Sequence, residues 1–200
     1  MKLLVIDDST IHQQSARQVL AAEHDLMVVG SHDEASKLIH KPYGWEKDPD
    51  FKYWDAVLCD LLMPAGRNAQ GSNGMKYVGV EMPVGWSLAI QAAVNGAKFV
   101  AVVTDMNHHD HPASAMLDSL NRKIFTINDA KVLMTNYVNL VGITGTEGAC
   151  TKCDGTGKTN REDGSSYDCY HCKGGVAFAQ SGKDWGKILK KLQGVDEDAN

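Results

Sequence analysis

The chain has 200 residues, 43% of them hydrophobic and 22% charged, which are the proportions of a globular protein and exclude a disordered, collagenous or fibrous one. A formal net charge of −5 leaves no global basic field for nucleic acid or an anionic membrane, so either partner would need a local patch. The N-terminus turns acidic at Asp7 and Asp8 without the apolar stretch of a signal peptide. The longest apolar run, Phe99 to Val103, is far short of the ~20 residues that span a bilayer, so a cytoplasmic protein with no membrane partner is expected.

Leu3 to Ile6 is a short apolar run ending on two aspartates, the pattern of a strand buried on both faces of a parallel sheet. Ser9 or Thr10 caps a helix whose stripe is Ile11, Ser15, Ala16, Val19, Leu20 and Ala22. Met27 to Gly30 reads as a second strand, and Ser31 with Glu34 as a capping box before a second helix that Pro42 ends. Tyr43 to Trp54 is aromatic, charged and aperiodic, an ordered loop or short insertion. Ala56 to Asp60 is a third buried strand, again ending on an aspartate, and the Gly- and Asn-rich segment 66–82 is a second insertion. Helix Trp86 to Val94, strand Phe99 to Val103 and helix His111 to Leu120 follow. Lys123 to Ile127 and Lys131 to Met134 then form a hairpin around Asn128-Asp129, its second arm joining the sheet. The last helix, Asp184 to Leu192, carries Trp185, Ile188, Leu189 and Leu192 on one face. This alternation predicts an α/β fold with a doubly wound, five-stranded parallel sheet and a site at the carboxyl ends of the strands.

In such a sheet the ends of adjacent central strands converge, which brings Asp7, Asp8 and Asp60 together. Three carboxylates repel one another, and a hard cation such as Mg²⁺ relieves the repulsion with water completing its octahedron. Taken singly, each aspartate would read as a helix cap.

Val5-Ile6-Asp7-Asp8-Ser9, followed by Val57-Leu58-Cys59-Asp60-Leu61-Leu62-Met63-Pro64, resembles the receiver domain of two-component response regulators. The resemblance covers most of the chain. It implies a signalling domain in a phosphorelay, with Mg²⁺ held at Asp7, Asp8 and Asp60, Asp60 accepting a phosphoryl group from a histidine kinase, and Thr104 binding that group. A carboxylate nucleophile needs such a cation beside it during in-line transfer. Receivers end strand five with a lysine that touches the acceptor aspartate and the phosphoryl; here Asn136 stands at that place and offers a hydrogen bond without charge. Asp105 replaces the small residue usual after Thr104. These departures make phosphoryl acceptance on Asp60 atypical, and leave as an alternative a pseudo-receiver scaffold that binds protein or nucleic acid without phosphorylation. A phosphatase of the haloacid dehalogenase type is the third reading, although it requires Asp-x-Asp where this chain has Asp7-Asp8-Ser9. The loop after Thr104 also holds His108, His109 and His111, an auxiliary cluster that reads first as a solvated helix-capping turn and second as a metal or pH-sensitive group.

Of five cysteines, four stand as Cys150-x-x-Cys153 and Cys169-x-x-Cys172, fifteen residues apart, the spacing of a closed, structural four-thiolate zinc site. The runs Cys150-Thr-Lys-Cys153-Asp-Gly155-Thr-Gly157 and Cys169-Tyr-His-Cys172-Lys-Gly174-Gly175 resemble the Cys-x-x-Cys-x-Gly-x-Gly repeats of J-domain chaperones. Two copies suffice for one ion, and no J-domain accompanies them. The expected organisation is a receiver-like domain over 1–146, an inserted zinc knuckle over 147–178, the final helix over 179–195 and an acidic tail over 196–200. Lys152, Lys158, Arg161 and Lys173 read first as solubilising charge and second as a docking surface on the knuckle for an unknown protein or nucleic-acid partner. Gly155 to Thr159 mimics the end of a phosphate-binding loop, but Lys152 occupies the required earlier glycine position. Cys59 reads as a small core residue.

Overall fold

The structure, a computed structural model, describes residues 1–40, 54–68, 70–120, 123–161, 164–170 and 172–195. Pro42, the expected loop from Tyr43 to Trp54 except for Trp54 itself, and the acidic tail 196–200 lie outside these residues.

The central sheet has six strands: β1 (Lys2–Ile6), β2 (Asp25–Val29), β3 (Ala56–Asp60), β6 (Phe99–Val103), β7 (Ile124–Ile127) and β8 (Ala130–Thr135). Their order is β2-β1-β3-β6-β8-β7. The first five run parallel, and β7 closes the edge antiparallel to β8. The expectation of five strands is corrected by one: both arms of the Asn128-Asp129 hairpin enter the sheet, with Asn128 in the left-handed region at φ 51° making the tight reversal. Residue parity sorts the core. Leu3, Val5, Ala56, Leu58, Ala101 and Val103 face one side, against Ala16 and Leu20 of α1 (Thr10–Leu20) and Trp185, Ile188, Leu189 and Leu192 of α5 (Trp185–Gln193). Leu4, Ile6, Val57, Cys59, Val100 and Val102 face the other, against α2 (His32–Ile39) and α3 (Gly85–Val94).

Helix ends deviate where side chains compete for backbone groups. Ser9 stands at the N-cap of α1 without a side-chain cap bond, and its own N–H is taken by Asp7 Oδ1 at 2.9 Å. Ser31 Oγ does cap α2, accepting from Glu34 N. The helix expected over His111 to Leu120 is α-helical only in α4 (Pro112–Met116), passing into a 3₁₀ turn over Leu117–Ser119. His111 caps it through Nδ1, which accepts from Ala113 N. Segment 66–82 begins and ends beside a minimal antiparallel pair, β4 (Met63–Pro64) with β5 (Glu81–Met82). Just beyond it Gly85 passes so close to the Asp60 carbonyl that a Cβ there would collide with it. Among the described residues no helix is long and apolar enough to cross a membrane.

After β8 the chain does not enter α5 directly. It leaves as an antiparallel ribbon, β9 (Leu140–Gly142) with β14 (Ser181–Lys183) and β10 (Glu147–Ala149) with β13 (Val176–Phe178). Beyond these, β11 (Lys158–Asn160) pairs with β12 (Ser166–Asp168) in the cysteine region.

Candidate functional site

Parallel register places Asp7 just past β1 and Asp60 at the end of β3, so the two carboxylates meet on the same rim. One carboxylate oxygen each from Asp7, Asp8 and Asp60 lies within 4.8 Å of the others, with Asp7 and Asp60 buried and Asp8 exposed. Thr104 follows Val103, the partner of Asp60 on β6, and is itself buried, with Oγ1 accepting from Met106 N at 3.1 Å.

A residue that sequence reasoning did not single out sits in the middle. Lys183, the last residue of β14, is fully buried, and its Nζ donates to Asp7 Oδ2 at 2.8 Å and to Asp60 Oδ1 at 2.7 Å, with Asp105 Oδ1 3.5 Å away. Asn136 is elsewhere: its Nδ2 donates to Ser114 O at 3.1 Å and to Asp118 Oδ1 at 2.7 Å. The lysine–carboxylate contact expected at the end of strand five is thus made from beyond the cysteine region. One cue was available in the sequence. A lysine directly before a helix faces the positive end of its dipole, an unfavourable place unless carboxylates hold it.

His12 of α1 locks this lysine. Its Nδ1 accepts the Lys183 backbone N–H at 3.2 Å, so the ring proton is on Nε2 and is donated to Asp105 Oδ2 at 3.2 Å. The His12 carbonyl accepts from Trp185 Nε1 at 3.0 Å, and Ser15 Oγ lies 2.9 Å from the Lys183 carbonyl. Gly182 allows this approach, because a Cβ there would stand 2.6 Å from Ser15 Oγ and 2.8 Å from Ile11 O.

One ammonium faces three carboxylates, those of Asp7, Asp60 and Asp105, and the imbalance appears in their proton affinities. Burial pushes the Asp60 carboxyl up from 3.8 to about 7 against the pull of Lys183, with Asp7 and Asp105 adding repulsion. Burial also raises Asp7, again opposed by Lys183. The hydrogen bond from His12 holds Asp105 well below the usual carboxylate range, and the surrounding carboxylates raise Lys183 although burial opposes them. Asp7 and Asp60 therefore keep protons in the native state that the unfolded chain has released, and stability should fall as pH rises from about 4 to about 7. Lys183 has the opposite sign, its contribution being complete below the ordinary lysine value of 10.5, and so it is flat in this window. The expected result in chelator is a urea midpoint that declines between pH 5 and pH 7.5 in the wild type and declines less in Asp60→Asn. Parallel curves would reject the assignment.

The histidine loop lines a neighbouring cavity of about 280 Å³, together with Asp105, Asp118, Asn136 and Tyr137. His108 Nδ1 contacts Asp118 Oδ2 at 2.8 Å, and its Nε2 lies 2.9 Å from His109 Nε2. His111 is engaged as the helix cap, apart from this pair.

The four cysteines form a second centre. Cys150, Cys153 and Cys169 are buried and Cys172 is half-buried, none in a disulfide. Cys150 Sγ and Cys169 Sγ are 3.9 Å apart, Cys153 Sγ and Cys172 Sγ 3.6 Å, and the four sulfurs lie within 4.8 Å of one another. A tetrahedral ion with Zn–S bonds of ~2.3 Å requires edges of about 3.8 Å, so the cluster is compatible with zinc. The Gly157 N–H donates to Cys153 Sγ at 3.3 Å, the kind of contact that orients a thiolate ligand. Gly175, at φ 90°, passes so close to the Gly155 carbonyl that a Cβ would collide with it, so the two knuckles pack glycine against glycine. On the surface Arg161 stacks on Tyr167, which also contacts exposed Tyr170. Lys158 pairs with Asp168. Segment 147–178 as a whole contains four Lys and Arg but five Asp and Glu, so its basic residues do not make it a basic module.

No family model, no curated protein and no solved structure matches the chain.

Proposed function

We propose that the chain is a receiver-type switch in which Asp60 accepts a phosphoryl group, Asp7, Asp8 and Asp60 hold Mg²⁺, and Thr104 and Lys183 bind the phosphoryl oxygens. The observation that carries this reading is the Lys183 ammonium, 2.7 Å from Asp60 and 2.8 Å from Asp7 at the rim where three carboxylates converge. The lysine contact of receivers is thereby supplied by a different segment, and the objection raised by Asn136 falls away. The order of the five parallel strands, 2-1-3-4-5 in chain sequence, is that of receivers and flavodoxin-like folds and supports the reading further.

In the transfer, a carboxylate oxygen of Asp60 attacks phosphorus in line, the bond from phosphorus to the donor's leaving atom breaks, and that atom departs with the electron pair. Asp60 Oδ1 is already engaged by Lys183 and by Leu61 N at 2.9 Å, which fixes the carboxylate plane before attack. Mg²⁺ at Asp7 and Asp8 would neutralise the charge brought by the phosphoryl oxygens. Lys183 then shifts part of its interaction from Asp60 to those oxygens. Its backbone, tied to His12, keeps it in reach. The donor is a histidine kinase or a small acyl phosphate, and the second centre holds one structural zinc ion at Cys150, Cys153, Cys169 and Cys172.

Incubation with acetyl phosphate and Mg²⁺ is expected to give a single phosphoryl adduct by intact mass spectrometry, absent in Asp60→Asn and without Mg²⁺. A charge-assisted contact is worth about 1.5–3 kcal/mol, so Lys183→Ala should reduce labelling by roughly ten-fold or more. Asn136→Lys should leave it unchanged. No adduct on the wild type would reject phosphoryl acceptance in favour of a scaffold.

A further inference from the structure

Lys183 and the cysteine cluster are the two ends of one hydrogen-bonded ribbon. At the inner end Lys183 pairs with Leu140, and Asp184 N donates to Asn139 O at 2.8 Å. The ladder continues through Gly182 with Val141 and Ser181 with Gly142, then Ile143 N to Gln180 O and Ala179 N to Thr146 O, both at 2.9 Å. It ends with Phe178 paired to Glu147, Val176 to Ala149, and Cys150 N donating to Gly175 O at 2.8 Å. From Val176 to Lys183 this is seven residue steps, about 23 Å of strand.

Beyond Ile143, which is fully buried, the outer half of the ribbon has little apolar support of its own. Glu147, Gly148 and Ala149 are exposed, and Val176 and Phe178 are 47% and 45% exposed. An isolated two-stranded ribbon is marginal in water, so its order depends on what holds its ends. One end is the sulfur cluster. The other rests on α1 through polar contacts, Gln18 Oε1 accepting from Thr144 N at 2.8 Å, Gln18 Nε2 donating to Gly142 O at 3.0 Å, and Ser15 and His12 touching Lys183. A buried ammonium is therefore carried on a segment whose far anchor is the four-cysteine cluster.

We infer that the four-cysteine module is the input site of the switch: a thiophilic divalent cation bound by Cys150, Cys153, Cys169 and Cys172 holds the ribbon in register and, through it, Lys183 between Asp7 and Asp60. The output half of this inference rests on the phosphoryl-accepting reading above. The linkage is reciprocal, so occupancy of the acidic site also favours metal retention by the cysteines. Withdrawal of Lys183 has a signature that unfolding lacks. Removing a cation from beside Asp7, Asp60 and Asp105 strengthens Mn²⁺ binding at the acidic rim, while removing the phosphoryl-binding ammonium weakens labelling; unfolding weakens both.

The test compares the full-length zinc-loaded protein with the full-length Cys153→Ser protein after chelation. The primary readout is acylation of the Lys183 side chain by a water-soluble N-hydroxysuccinimide ester, in which the released amine loses its proton, attacks the ester carbonyl and expels N-hydroxysuccinimide, followed by peptide mass spectrometry, with amide exchange of β1 and β3 measured in parallel. Acylation of Lys183 is expected to rise at least ten-fold in Cys153→Ser while β1 and β3 stay protected, Mn²⁺ affinity to rise at least three-fold, and acetyl phosphate labelling to fall about ten-fold. Lys183 equally protected in both proteins, or β1 and β3 amides exposed together with Lys183, would overturn the coupling. If the zinc-loaded protein takes neither Mn²⁺ nor phosphoryl, the phosphoryl-accepting reading fails, and Lys183 reactivity alone still decides whether the cysteines control its position.

Discussion

Lys183→Met is expected to lower the unfolding free energy by about 3–5 kcal/mol at pH 7.5, the range seen when one partner of a buried ion pair is removed and the other charge is left uncompensated. Methionine preserves the apolar stem and its packing, so the loss reports the ammonium. The site makes this large because Asp7 is fully buried and Asp60 nearly so, and Lys183 donates to both. Those carboxyls already lean toward protonation with the lysine present, so without it they will take up protons and soften the loss at lower pH. The deficit should therefore shrink between pH 7.5 and pH 5. It should shrink further in Lys183→Met with Asp60→Asn, where one carboxylate is gone, and Mg²⁺ should stabilise Lys183→Met more than wild type. Urea unfolding with the three proteins checks all of this. A loss below about 1 kcal/mol would mean that Lys183 behaves as an exposed surface pair, against its complete burial.

The parts of the fold that follow from periodicity are legible in the sequence. Strands such as Ala56–Asp60 and Phe99–Val103 are continuous apolar runs because both faces are covered, and α5 shows its buried face as Trp185, Ile188, Leu189 and Leu192. The Asp7, Asp8 and Asp60 convergence was legible for the same reason, since strand order and parallel register fix where strand ends meet. The cysteine cluster was legible from spacing alone. Lys183 was not, because its partners lie 176 and 123 residues away and the resemblance to receivers carried the rim along strand five to Asn136, without allowing the chain to leave through a ribbon and return. His12 was hidden in another way. On α1 it reads as one more polar position of an amphipathic helix, and only the approach of β14 gives its two ring nitrogens opposite roles. Ile124–Ile127 was legible as a hairpin arm, and only its place as the sixth strand of the sheet was not, because its burial alternates as in a one-sided edge strand, a weaker signal than the buried arm beside it.

Cys153→Ser is expected to abolish stoichiometric metal binding and to unfold segment 147–178 while leaving the central sheet intact. Cys153 is buried, lies 3.6 Å from Cys172 Sγ, and receives the Gly157 N–H, so its loss removes a ligand and the hydrogen bond that orients it. Zinc binding to such sites contributes on the order of 10 kcal/mol at neutral pH, far more than this segment can recover otherwise. Apart from Cys172 and Ala177, which pack on it only partly buried, its core consists of Cys150, Cys153 and Cys169. The sheet draws on two separate apolar clusters to which the cysteines contribute nothing, so its cooperative transition should persist. Metal analysis after removal of free ions should give one zinc per wild-type chain and none for the variant, and limited proteolysis should cut the variant within 147–178 before any site in the sheet. Near-zero zinc in wild-type protein purified without chelator would reject the metal centre. Equal protease resistance of the two proteins would show that the glycine-on-glycine packing of the knuckles, and not the ion, holds the module together.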